Sequence, residues 1–232
     1  MTHRLDAQGA RRLARIGGVL YLAIIAIGAF GEVVVRGRVI VPGDAAATAA
    51  NLRSMEWLWR LGVAGEVVLL SSALALALIL YVLLRPVSRH LAMLAVFFNL
   101  IAIAIEGMAT VALAAALLPA AGDGTAMLLI RSHSLGFGIG LVFFGVECVI
   151  LGTLIARSGY IPRWIGILML IAGGCYVINS FTLMLSPPLS RRIFPAILFP
   201  ALIAELSLAV WLLVKGVRAE KWDAAVRLPQ PP

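Results

Sequence analysis

Apolar residues come along this chain in six long runs separated by short polar breaks, and each run is close to or above the roughly 20 residues a helix needs to cross a bilayer. The runs cover residues 16 to 35, 57 to 84, 91 to 118, 133 to 156, 164 to 185 and 194 to 214. They predict an all-α protein, a polytopic integral membrane helical bundle of six transmembrane helices. In the breaks "LLRPVSRHL" and "ARSGYIPRW", Pro86, Gly159 and Pro162 interrupt the helix and arginines flank the interruption. "PAAGDGTA" is the matching turn on the opposite side. The one substantial loop, residues 37 to 56, carries Asp44 behind Pro42 and Gly43, a good N-cap for the alanine-rich stretch that follows. A short helix is expected there, lying over a mouth between the long ones.

Composition agrees: 62% of the 232 residues are hydrophobic, 13% are charged, and the mean hydropathy is +1.04. A net charge of +8 would suggest a nucleic-acid partner in a soluble chain. Here the Lys and Arg residues sit between apolar runs, where they set orientation against lipid headgroups, so no nucleic acid is expected. Arg36, Arg38, Arg53, Arg60, Arg131, Arg191 and Arg192 fall on one side and the other 12 of the 19 basic residues on the opposite one. By the positive-inside rule both termini are cytoplasmic. Residues 1–15 form a basic cytoplasmic segment, 16–215 the six-helix domain with its outer loop at 37–56, and 216–232 a cytoplasmic tail. The first run follows Arg11, Arg12 and Arg15 as a signal peptide would. It exceeds the roughly 7 to 15 residues of a signal core and lacks a clear small-residue cleavage site, so it reads as a retained helix. Cys148 and Cys175 both lie in apolar runs, where they pack as small hydrophobes.

Carboxylates inside the runs are what a merely structural bundle does not need. Glu32, Glu66, Glu106, Glu147 and Glu205 place one in five of the six helices. A charge at the bilayer centre costs about 2.5 to 3.5 kcal/mol on insertion scales, so such residues face the interior and mark function. Counted from the helix ends, Glu32 lies at the outer boundary, Glu66 and Glu106 in the outer half, and Glu147 and Glu205 near mid-membrane, which allows one site opening outward. Arg36, four residues after Glu32, and Arg60, ahead of Glu66 on its helix, are the candidate cations. His133, Phe137, Gly140, Phe144 and Glu147 fall on one stripe that aims His133 and Glu147 inward, and Asn99 and Asn179 can add hydrogen bonds. The expected substrate-binding set is therefore Glu32, Arg36, Arg60, Glu66, Glu106, His133, Glu147, Asn179 and Glu205. Each can also be read as a residue gluing helices together.

Familiar catalytic and cofactor motifs find no complete match. "GFGIG" (136–140) follows no strand and reads as close helix packing, not a phosphate loop. H-E-x-x-H and G-x-S-x-G are absent, and with one histidine inside a run a His-rich zinc site lacks ligands, so no metal is expected and the sequence names no cofactor. "EVVVR" resembles part of the signature of glutamate-dependent intramembrane proteases, but its first glutamate and its second histidine motif are missing. Through "FGEVVVRG", "VPGDAAATAANL", "GLVFFGVECVILG", "RSGYIPRWIG" and "AELSLAVWLLVKG" the chain resembles the six-helix bacterial membrane family known as domain of unknown function 4386, over about residues 14 to 217. That resemblance implies a multi-pass protein of the bacterial inner (plasma) membrane and no activity.

Two functional readings and a bland one follow. An acidic pocket under the outer loop suits binding or transport of a small cationic or proton-coupled solute. Alternatively, a glutamate activates water beside His133 while Arg36 or Arg60 stabilises negative charge, as in an intramembrane hydrolase or transferase. The third reading is a structural or partner-binding membrane subunit. The bilayer is the certain partner, with a small-molecule or lipid ligand and self-association left open. Reporter fusions made after residue 122 are expected to be exported and those after residue 160 retained in the cytoplasm; the reverse pattern would overturn the orientation.

Overall fold

The computed structural model describes residues 6–118 and 121–227. Part of the 119–126 turn and both chain ends lie outside the described residues. Asp6 opens the first helix by accepting the Gly9 amide at 2.8 Å. This α1 runs Ala7–Val39 without a break, and its hydrogen bonding widens to π-helix over Phe30–Arg36. The short α2 (Ala45–Ser54) is capped as the sequence predicts, the Asp44 carboxylate accepting the Ala47 amide. There follow α3 (Glu56–Leu84), α4 (Arg89–Ala115), α5 (Asp123–Ser158), α6 (Arg163–Leu185) and the short α7 (Pro187–Ile193). The chain closes with α8 (Ala196–Val214), whose first turn is 3-10, and α9 (Ala219–Arg227). Among the described residues there is no strand, and the six long helices α1, α3, α4, α5, α6 and α8 are long and apolar enough to cross a membrane.

Helix α5 begins at Asp123, well ahead of the apolar run at residue 133. Ala126, Met127 and Ile130 are the reason: they are buried on one face, and Ala126 and Ile130 join an apolar cluster with Val39, Leu52 and Trp59, so this stretch is an amphipathic extension of the span. Helices α7 and α9 are too short for a run-length reading to find. In α9 a single large residue, Trp222, is buried while Lys221 faces outward.

The long helices pack in chain order, α1 on α3, α3 on α4, α4 on α5, α5 on α6 and α6 on α8, and α8 returns to α1. This cyclic order turns one face of every span toward a shared interior. Helix α5 is the most enclosed, with 50% of its apolar window buried. Its contact with α6 is backbone-close because Gly145 and Gly152 of α5 meet Gly173 and Gly166 of α6. A Cβ on Gly166 would stand 2.6 Å from the Gly152 carbonyl oxygen, and one on Gly173 would fall on that of Gly145. With no hydrophobic drive between helices in lipid, such close van der Waals contact is what holds a pair together.

Each end of the bundle is closed differently. At the end bearing α2, Trp59 donates its indole N–H to the Leu113 carbonyl at 2.9 Å amid Val35, Val39 and Leu52. At the end bearing the termini, the buried Tyr160 hydroxyl donates to the Leu83 carbonyl at 2.6 Å, and the Tyr160 ring meets Trp222 edge-on at 5.2 Å. Burial pushes the Tyr160 phenol above its ordinary value, which keeps it a donor. Arg11 ties α1 to the same corner through the Val217 carbonyl, 3.1 Å away.

The α5–α6 seam predicts a contrast between adjacent positions. Gly173→Ala should destabilise the protein by about 1 to 3 kcal/mol through overpacking. Gly174→Ala, whose Cβ would meet nothing within 4 Å, should leave the melting temperature unchanged or slightly raised. Equal thermal stability of the two variants in detergent would contradict the seam.

Candidate functional site

The candidate residues gather at two levels. Toward the α2 end, Arg36 is placed by the π-helical segment of α1 and reaches two carboxylates at once. Its Nε donates to Glu32 at 2.7 Å, and its Nη1 donates across to Glu66 of α3 at 2.8 Å. Glu66 is buried, whereas the Glu32 side chain is 62% exposed, so the buried half of this arrangement is Arg36 with Glu66. Gly31 makes the room: a Cβ there would lie 3.3 Å from Glu66 Oε1 and 3.6 Å from Arg36 Nη2. Glu106 of α4 interacts electrostatically with both Glu66 and Arg36, and His133 of α5 with Arg36. The Glu106 carboxylate holds no hydrogen bond among the described residues, although its backbone carbonyl accepts the Thr110 hydroxyl. His133 is buried, with neither ring nitrogen bonded among the described residues, and stacks on Phe137 at 6.3 Å.

Deeper in the bundle, Asn99 of α4 donates to Glu147 of α5 at 2.7 Å, with both side chains buried. On the far side of the interior the Tyr176 hydroxyl of α6 donates to Glu205 of α8, and Tyr21 of α1 makes a further side-chain hydrogen bond to it. The ring of Phe144, edge-on to Tyr176 at 5.3 Å, fixes that phenol's direction. Glu205 and Glu147 are near enough to interact, and Cys148 is fully buried beside both. Asn179 lies one turn beyond Tyr176 on α6, buried, its Oδ1 without a partner among the described residues. His133 and Glu147 are 14 positions apart on one helix, about 21 Å along its axis. The five glutamates therefore form two groups, with His133 in the first and Asn179 beside the second.

Sequence spacing offered Arg60 as a partner for Glu66, and the structure gives that role to Arg36. Arg60 pairs with Glu56 one turn earlier at 2.7 Å, both side chains being at least half exposed. Tyr21 and Tyr176 are the functional candidates the sequence reading missed. Their signal was a phenol in mid-run, whose polar tip wants a partner when buried. The α5 stripe holds except at Phe137, which turns outward.

Chemically the two levels differ. The first contains a guanidinium already shared between two carboxylates, plus a carboxylate and an imidazole without hydrogen bonds. No base, orienter and nucleophile are linked there, since His133 bonds to none of its neighbours. The second contains two carboxyl groups served only by neutral donors. Both cysteines are free, and among the described residues no three His, Cys, Asp or Glu side chains cluster to hold a metal ion.

A family model described as "Domain of unknown function (DUF4386)" matches residues 16–216. A protein of Archaeoglobus fulgidus named "Uncharacterized protein" is 31% identical over 140 residues, which cover 60% of this chain and 74% of that one. That relative is archaeal, whereas the resemblance in the sequence implied a bacterial source. No solved structure matches.

Removing Arg36 strands Glu66 in the interior, so Arg36→Met should cost about 3 to 5 kcal/mol. Adding Glu66→Gln should recover part of that loss. Arg60→Ala removes only an exposed pair and should change stability by less than about 1 kcal/mol. Melting temperatures in detergent read all three; equal losses for Arg36→Met and Arg60→Ala would remove the buried pair from the account.

Proposed function

The chain belongs to the DUF4386 family of multi-pass membrane proteins, and on that premise we propose that it binds or carries a small cationic or proton-coupled solute, with Glu147 and Glu205 exchanging protons as the occupant changes. One observation carries this reading: both carboxyl groups are buried, and their hydrogen-bond partners, Asn99 for Glu147 and the two tyrosines for Glu205, are all neutral. An isolated carboxylate is expensive in a medium of low dielectric, so such a group is held by a proton or by an arriving cation. Two of them within electrostatic reach of each other give a site whose occupancy and protonation are linked.

The level nearer α2 fits the approach to that site. Arg36 compensates Glu32 and Glu66 and discourages a permanent cation there, while Glu106 is left as the acidic group a passing cation meets. We place this end outside and both termini in the cytoplasm of a plasma membrane. The same carboxylates could be met by lipid amines or by soluble ones, and the test separates these sources.

Purified protein in lipid nanodiscs is titrated with sodium, with potassium, with ethylammonium and with a phosphatidylethanolamine supplement. At least one is expected to raise the melting temperature and to release protons, read with an indicator dye. Glu147→Gln keeps size and hydrogen-bonding capacity but cannot ionise; it should fold normally and lose both responses. Unchanged responses in that variant would sink the proposal.

A further inference from the structure

A small cavity lies between α3, α4 and α5, lined by Ala77, Tyr81, Ala92, Ala95, Glu147 and Leu151 among others. Its volume is about 10 Å³, roughly the room one water molecule needs. Most of its lining comes from the parts of α3 and α4 nearest the end that bears the termini, and it includes Leu84, the last residue of α3. Glu147 is the innermost polar group of the set, and Tyr81 supplies the only other polar side chain. We propose that this crevice is one step of a proton path: it seats a water beside Glu147 on the side of the bundle end where both termini lie, and it has no room for a hydrated cation.

Three observations converge on this. Glu147 lines the crevice, so a water within it lies beside the residue that must gain or lose a proton. It is too narrow for an amine or a metal ion carrying its water, whereas a proton needs only one bridging molecule and a hydroxyl such as that of Tyr81. Finally, Asn99, which does not line the crevice but holds Glu147 from the next turn of α4, has a buried Oδ1 with no donor among the described residues, so the hydrogen bonding around Glu147 has room for a further proton-bearing group. The groups facing Glu147 from the surrounding helices are Asn99 of α4, Tyr81 of α3, Glu205 of α8 and Tyr21 of α1, with Cys148 beside it on α5. None is basic, so a proton arriving along the crevice is not intercepted by a fixed cation.

This inference rests on the proton-exchange reading above and adds the route and the ion. The test is hydrogen–deuterium exchange of the Glu147 carboxylic acid, followed by infrared spectroscopy on the full chain in nanodiscs at acidic pH, the band being the one lost in Glu147→Gln. Ala95→Leu fills the crevice and should slow exchange about tenfold, since the single water position is gone. Tyr81→Phe, which keeps the packing volume, should slow it several-fold and stands in where Ala95→Leu fails to fold. Ala104→Leu, on the part of α4 nearer the α2 end, should leave exchange unchanged. Wild-type exchange in folded Ala95→Leu or in Tyr81→Phe overturns the path, as does an equal slowing by Ala104→Leu. Should the path fail while Glu147→Gln still abolishes the cation response, the binding reading stands without it. Should exchange slow as expected while Glu147→Gln retains that response, the path stands and the binding reading falls.

Discussion

The bond from Arg36 to Glu66 fixes the geometry on which the α2 half of the bundle depends. A buried ion pair holds only where both members meet at hydrogen-bonding distance, because each has given up its water. That requirement brings α1 and α3 together at one height and one rotation. Gly31 leaves room for the pair, and Gly62 of α3 lets Val35 approach so closely that a Cβ would stand 2.8 Å from its Cγ1. The π-helical stretch Phe30–Arg36 coincides with this contact, as such segments often do at working sites. Beyond it α1 continues only to Val39, whose carbonyl receives Asn51 of α2 at 3.3 Å, so the position of α2 descends from the same pair.

With that end fixed by charge, the deeper level is free to be neutral. The α5–α6 seam brings the backbones to contact through four glycines, and the α4 and α8 faces then supply Asn99 and Glu205 to a narrow interior. Nothing at this depth matches the guanidinium of the first level. Were a cation fixed here, Glu147 would be a permanently compensated structural charge. No such cation is among its bonded partners in the described residues, which is what the proposed proton exchange requires. Helix α5 carries a member of each level, so a change in its tilt or height acts on both.

Much of this was legible in the sequence because the membrane simplifies the problem. Run length and interrupting Pro and Gly find the spans, since no other regular element satisfies its backbone alone in lipid. Asp44 announced its helix through local chemistry, and Glu32 with Arg36 needed only helical spacing. What spacing could not give was rotation between helices. Arg60 and Arg36 were equally available to Glu66 on a linear chain, and the choice follows from Gly31 and Gly62, whose effect exists only when two helices meet. The heights of the five glutamates were legible from distance to the helix ends; what that count left open was whether they share one site, and the 14 positions between His133 and Glu147 on one helix keep the two levels about 21 Å apart. Tyr21 and Tyr176 were hidden because a mid-run phenol reads as one more hydrophobe until its hydroxyl has a partner.

The two closures of the bundle differ in kind, and this bears on how an interior site could be reached. At the terminal end the bonds are buried and short: Tyr160 to Leu83, with Trp222 packed on the same ring. Away from water such bonds are strong and costly to leave unmade. At the other end, α2 is held to α5 by Arg53 with Asp123 at 3.0 Å, side chains 65% and 44% exposed, a class of pair worth little in water. One further polar tie crosses to α1, the part-buried bond from Asn51 to the Val39 carbonyl at 3.3 Å, while the bonds of Thr48 to Val41 and Asp44 lie within the loop's own turn and move with it. Opening over α2 therefore breaks apolar contacts around Leu52, one exposed ion pair and the single part-buried bond from Asn51 to Val39, whereas opening at the termini strands fully buried donors. The α2 end is therefore the more easily opened of the two, and the proposal that a solute enters there while only protons use the terminal side rests on that difference.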